Sequence, residues 1–345
     1  MPISKLPKLS LIATVAVAIA SVATTMSASA GERFRISLET PPTHHRNIAI
    51  RQFVDRLSET AGDQLDVELF ESGQLFGGGD VPRALAQGTL EMGAPGMWQN
   101  VKFVSNAGVM QLPMFYGATR DQIHAVMDGE LGDELVKEIE SKMKVVIIGP
   151  QLDHGYANIY TVNTPIRSFD DLKGLKLRVV GGFANTRRYQ VLGAAPVGVP
   201  WPDTPLALTQ GTVEGLFTTH VTVASAKLWD AGIKYAFEDQ QWFAQYVPMV
   251  SRKVWDDFDE ATKAAVIDAW AETINGMREF TEANQGRARK QLEGNGINVV
   301  QATPEQLSAM RTRLLAVQNE IVEKGKMDAD YVARVKAALD AEMSK

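Results

Sequence analysis

The chain has 345 residues, 45 % of them hydrophobic, and no cysteine. That is length for about two domains, held by packing alone, with disulfides, thiolate metal sites and thiol catalysis excluded. The formal charge is −6 with lysine and arginine scattered along the chain, so no basic patch forms and nucleic acid is not an expected partner.

Residues 1–30 set the expected compartment. Lys5 and Lys8 precede an apolar run from Leu9 to Ala20, and Ala28-Ser29-Ala30 forms a small-residue cleavage site before Gly31. The run is too short to span a bilayer, and no cysteine follows for a lipid anchor. Cleavage removes two lysines and no acids, moving the formal charge from −6 to −8. A mature chain of about 315 residues in the periplasm, without membrane insertion, is the expectation.

From Phe34 the chain alternates strands and helices. Phe34–Leu38 and Leu65–Phe70 have strand patterns around a helix at Ile48–Leu57. Asp80 is placed to cap a helix at Val81–Gln87, and Leu90–Ala94 begins a third strand. A helix over Asp121–Met143 leads to the buried strand Lys144–Gly149. A second unit follows, with strands at Tyr156–Val162, Lys176–Val180, Pro196–Val199 and Val213–Phe217 and a helix at Ala184–Leu192. Such alternation predicts parallel pairing with helical crossovers, hence an α/β fold of two lobes with a crossover near residue 154. Glu260–Leu292 is helical for over thirty residues, interrupted only by Gly276 and Gly286, long enough to lie across both lobes. The expected division is 31–154 with about 244–283 in lobe I, and 155–243 with about 284–345 in lobe II.

Enzyme motifs are missing: the sequence has no GxxxxGK[ST], HExxH or GxSxG segment. His44 and His45 are adjacent and expected to point apart, so they do not read as a metal pair, and neither a metal nor a cofactor is expected. Arg178 is the exception to a bland inventory. It sits in the strand LKLRVV, where apolar residues alternate with it, and GGFAN follows as the start of a helix. A guanidinium fork beside helix-start amides suits an organic anion, and an internal ion pair with Asp or Glu is the competing reading. Trp98, Phe183, Trp201 and Phe217 lie at loops after strands, where α/β sheets bind ligands and where core packing is the alternative.

The blocks ESGQLFGG, LEMGA, VMQLPMFY, SFDDLKGLKLRV, LGAAPVGVPW and LTQGTVEGLF, in this order after an export signal, resemble the solute receptors of tripartite ATP-independent periplasmic (TRAP) transporters. That resemblance implies a two-lobed binding protein with a long helix spanning both lobes, no catalysis, and delivery of ligand to membrane permease subunits. It implies that Arg178 pairs with the substrate carboxylate and that Trp201 packs on the ligand. Thr218 stands where many members have asparagine, His44 falls on the first-loop histidine, and Trp98 lies in a selecting loop. Phe217 is grouped with these. Many sugar-acid receptors carry a second arginine just after the crossover, where this chain has Ala157 and Asn158. The expected ligand therefore has one acidic group, as in a small monocarboxylate or organosulfonate, with His154, Tyr156 and Asn158 offering neutral hydrogen bonds. Three other readings stay open: an ABC-type receptor of similar form, an exported enzyme acting on a small organic acid, and a sensing partner that hands ligand occupancy to a membrane kinase.

Overall fold

The computed structural model describes residues 31–345, apart from the side chain of residue 63; the expected export segment lies outside the described residues. In chain order the strands are β1 (Glu32–Ser37), β2 (Leu65–Phe70), β3 (Met92–Gly93), β4 (Val145–Ile147), β5 (Leu152–Thr161), β6 (Lys176–Val179), β7 (Ala195–Gly198), β8 (Gly215–Thr218), β9 (Tyr235–Tyr246), β10 (Met249–Ser251) and β11 (Asn298–Gln301). They form two sheets, ordered β2-β1-β3-β10-β4 and β11-β9-β5-β8-β6-β7. Each sheet is the centre of one lobe.

Parallel pairing holds where each lobe starts, in β2-β1-β3 and in β8-β6-β7. It does not hold throughout, as the alternating pattern had predicted. β10 runs antiparallel to β3 and β4, and β5 antiparallel to β8 and β9. These are the strands by which the chain passes between lobes, so they enter a sheet from its opposite end. β5 and β9 pair from Leu152↔Tyr246 to Thr161↔Tyr235, and Tyr246 also bridges to Gly96 of the first lobe. The pair is thus a two-stranded connection. Its register shifts at His154 and again opposite Glu238–Gln241.

The helix Glu260–Gly294 runs through Gly276 and Gly286 without a break, capped at its start by Asp259, whose side chain accepts from the Thr262 amide. It covers roughly 50 Å at 1.5 Å per residue. It packs on the helix His45–Ala61 in the first lobe and on β5 and the helix His220–Ser225 in the second, a beam across both. The expected helix over 121–143 is two, Arg120–Met127 and Glu130–Met143, separated at Asp128-Gly129.

The chain end departs from the expected division. Helix Ala329–Met343 carries an apolar stripe of Tyr331, Val332, Val335 and Leu339 that joins the core around Ile123, Leu135 and Ile139 of the first lobe. Arg334 pairs with Glu134 at 2.6 Å, and the Tyr331 hydroxyl donates to the Leu131 carbonyl at 2.9 Å. Amphipathic packing therefore returns the last helix to lobe I, so 284–345 does not belong as a block to lobe II.

Candidate functional site

A cavity of about 630 Å³ opens between the sheets. The first lobe supplies Glu39 at the carboxyl end of β1, the loop Gly77–Asp80 and the turn around Trp98; the second supplies Arg178, Gly181–Phe183, Trp201 and Thr218. The crossing strands add His154 and Tyr246. Strand carboxyl ends of both sheets meet here, the position at which α/β sheets leave room for ligands.

Arg178 is held by local structure. On β6 its neighbours Leu177 and Val179 are buried in the core, so the alternation turns the guanidinium to the other face. Its Nε donates to the Val199 carbonyl at 2.9 Å, and its guanidinium carbon lies 5.5 Å from the centroid of the Trp201 ring. Only 5 % of the residue is exposed, and among the described residues no carboxylate forms an ion pair with it. Burial pulls its pKa down to about 10, partly offset by the field of Glu39. The internal ion pair that competed with an anion site in the sequence is thus absent among the described residues. Beside it, Gly181 and Gly182 take φ of 92° and 85°, a left-handed path open to glycine, and start the helix Phe183–Val191 at the cavity wall. First-turn amides have no acceptor within a helix and favour negative charge.

Trp98 packs 5.9 Å from His154 and edge-on to Trp242 at 5.1 Å. Gly96 permits this: a Cβ there would lie 2.4 Å from the indole. The cavity so formed has one buried cation, a largely buried carboxylate at Glu39, an exposed Asp80 and Lys102 of opposite charge, and otherwise largely aromatic and aliphatic walls.

Of the residues singled out in the sequence, Arg178, Trp201, Trp98, Phe183, Thr218 and His154 meet in this cavity; His44, Phe217, Tyr156 and Asn158 do not line it. His44 is fully buried as the cap of helix His45–Ala61, with Nδ1 accepting from the Arg46 amide at 3.2 Å and Nε2 3.1 Å from Thr222 Oγ1. Phe217 is core, packed between Tyr189 and Trp242 at centroid distances of 5.0 and 5.7 Å. Tyr156 and Asn158 are turned away by the register shift at His154, which breaks the alternation of β5. They line a second cavity, about 400 Å³, behind the crossing strands. There the Tyr156 hydroxyl donates to the Ala118 carbonyl, and Asn158 Nδ2 lies 3.2 Å from His220 Nε2.

The expectation that His44 and His45 point apart also fails. Their rings stack at 4.3 Å because the helix cap turns the backbone between them, and His154 stacks on His45 at 5.5 Å. Nitrogens of the three lie within 4.8 Å of one another, close enough to share an ion. Stacked planes do not converge on one point, however, and both His44 nitrogens already have protein partners. Burial holds all three well below the usual imidazole pKa, His45 at about 3, so they form a neutral stack. Glu39, Tyr246 and Thr222 are cavity residues that sequence reading missed. Glu39 had a signal, since it follows β1 in the loop ETPPTHH.

Two sheets joined by crossing strands and a beam helix, with a cavity between them that holds a buried cation, define a two-lobed solute-binding architecture. The family model of bacterial extracellular solute-binding protein, family 7, matches residues 36–325, and the chain belongs to that family. It is 25 % identical over 83 % of its length to the C4-dicarboxylate-binding periplasmic protein DctP of Rhodobacter capsulatus, covering 85 % of that protein. It is 24 % identical over 79 % of its length to the 2,3-diketo-L-gulonate-binding periplasmic protein YiaO of Escherichia coli, covering 82 % of that one. Among solved structures, the sugar acid binding protein of Advenella mimigardefordensis in complex with galactonate superposes with a TM-score of 0.85 at 20 % identity, over 90 % of this chain and 99 % of that one. A TRAP periplasmic solute-binding protein from Sulfurospirillum deleyianum with bound succinate gives 0.82 at 22 % identity, with the same coverage. The fold is theirs, and among the described residues no helix is long and apolar enough to cross a membrane.

Proposed function

We propose that this protein is the periplasmic receptor of a tripartite ATP-independent transporter, exported by residues 1–30, closing its lobes on a small organic acid and passing it to membrane permease subunits. The observation that carries the reading is Arg178, a buried guanidinium facing the interlobe cavity with no carboxylate of the described chain paired to it. A buried cation without a counter-ion is unfavourable until an anion arrives, so the site stores its affinity for a carboxylate or sulfonate. The relatives named above bind galactonate, succinate, 2,3-diketo-L-gulonate and C4-dicarboxylates. The cavity here has one buried cation, which favours a ligand with a single anionic group. Trp201 and Trp98 supply flat apolar walls, and Thr218 and His154 neutral hydrogen bonds. No step of chemistry is assigned to the site.

A thermal-shift screen of carboxylates and sulfonates on the mature protein identifies ligands, because binding to the folded state alone raises the melting temperature. Calorimetry with the best of them on Arg178→Ala is then decisive. Loss of a buried charge partner weakens binding by about 2–5 kcal/mol. An unchanged affinity removes Arg178 from the site.

A further inference from the structure

The cavity has a second pole. Glu39 side-chain exposure is 9 %, yet it lines the same cavity as Arg178, across the interlobe gap. Its Oε1 accepts from Gln99 Nε2 at 3.1 Å. The nearest cation of the described chain is Arg46, at 4.0 Å, beyond hydrogen-bond reach. The Arg46 donors are spent elsewhere, on Thr40 Oγ1 at 2.8 Å and the Ala94 carbonyl at 3.1 Å, and its face lies over the Tyr246 ring. Glu39 Oε2 has no hydrogen-bond donor among the described residues. Gly78 lets the carboxylate and the Gln99 amide sit close against the loop, where an added Cβ would fall 2.1 Å from Oε2 and 2.4 Å from Gln99 Nε2.

A ligand with one negative charge satisfies Arg178 and leaves Glu39 facing it. A ligand with two negative charges does worse, since its far carboxylate meets a like charge in a partly desolvated site, while the exposed Lys102 and Asp80 of the same lining offset one another. A cationic nitrogen at the far end satisfies both poles at once, with Trp98 in the same cavity wall. We infer that Glu39 selects for a zwitterionic solute, a small carboxylate or sulfonate carrying an ammonium or quaternary nitrogen. This rests on the organic-acid reading of Arg178 and goes beyond it in naming the far end of the ligand.

The test uses matched probes on the mature protein by calorimetry and thermal shift: butanoate with 4-aminobutanoate, ethanesulfonate with 2-aminoethanesulfonate, and succinate and galactonate as acids without a cation. The zwitterion of each pair is expected to bind at least tenfold tighter than its partner and than succinate. In Glu39→Gln, which keeps a hydrogen-bond acceptor but removes the charge, that preference falls below threefold. The inference is overturned if butanoate, succinate or galactonate binds as tightly as the zwitterions. If those acids bind and Arg178→Ala abolishes it, the receptor reading survives while Glu39 reverts to a counter-ion of Arg46 or an acceptor for ligand hydroxyls. No stabilisation by any probe counts against both. The wild-type comparison needs no variant to fold.

Discussion

At the scale of single residues, Arg178 is costly to keep and has no anionic partner among the described residues. Its ligand-free state buries a guanidinium whose pKa is pulled down to about 10 by desolvation, an energy that folding must absorb. Arg178→Met retains the aliphatic volume without the charge. We expect this variant, ligand-free, to melt at or above the wild-type temperature, since apolar replacement of buried charges is often neutral or stabilising by about 1–4 kcal/mol. The same variant should lose the ligand-induced rise. A lower melting temperature without ligand would show that the arginine is structural. This residue was legible in sequence because a cation inside an apolar strand is anomalous on its face. Trp98 and Trp201 were legible through their loops, whereas Phe217 was not separable from core. Whether an aromatic residue at a strand end faces a cavity or a sheet depends on the partner strand, which local pattern does not contain.

At the scale of elements, the strands that define each lobe could be read locally, while β9 could not. Its twelve residues, YAFEDQQWFAQY, include Glu238, Asp239, Gln240 and Gln241 in the middle, so no alternation survives. Gln240 has φ of 46° there, and β5 skips from pairing Trp242 to pairing Phe237. The bulge in β5 at His154 is equally silent in sequence, and it decides that His154 faces the cavity while Tyr156 and Asn158 face away. It also builds the imidazole stack between β5 and the start of helix His45–Ala61. These imidazoles are neutral in the folded protein, with Arg46 beside them and the Asp153 carbonyl on His45. Their folded pKa lies below the unfolded value near 6.5, so the unfolded state takes up protons first as pH falls. The stability they contribute is intact above about pH 6.5 and is lost towards about 3 for His45. Between pH 7 and pH 5 His45 should account for about 2 kcal/mol of lost stability. We expect urea titrations of His45→Gln to show an acid loss smaller than wild type by about that amount. Asp239, raised by burial, shifts stability in the opposite direction and cancels in this difference. Equal pH slopes in the two proteins would refute the neutral stack.

For the whole molecule, four connections join the lobes among the described residues: β5, β9, the helix Glu260–Gly294 and the segment that runs from β11 back to the helix Ala329–Met343. The cavity's charged poles sit on opposite sides of that joint, Glu39 at the end of β1 and Arg178 on β6. A ligand touching both contributes to affinity only when the lobes are shut, so its binding energy is differential between open and closed states. Shifting an equilibrium from 1:99 to 99:1 takes about 5.5 kcal/mol of such difference. A desolvated arginine contact of about 2–5 kcal/mol is a large part of it. The chain has no cysteine, so a pair introduced at the exposed positions Glu59 of the first lobe and Lys173 of the second can be spin-labelled without side reaction. Pulsed electron resonance should show a shorter and narrower interlobe distance once a ligand from the thermal screen is added. With Arg178→Ala in the same background, ligand at a concentration that saturates wild type should leave the longer distance in place. A distance that ignores ligand in the wild-type background would mean that the lobes do not move. Shortening that persists in the Arg178→Ala protein would mean that closure is driven from elsewhere in the cavity, with Arg178 holding the anion but not the lobes.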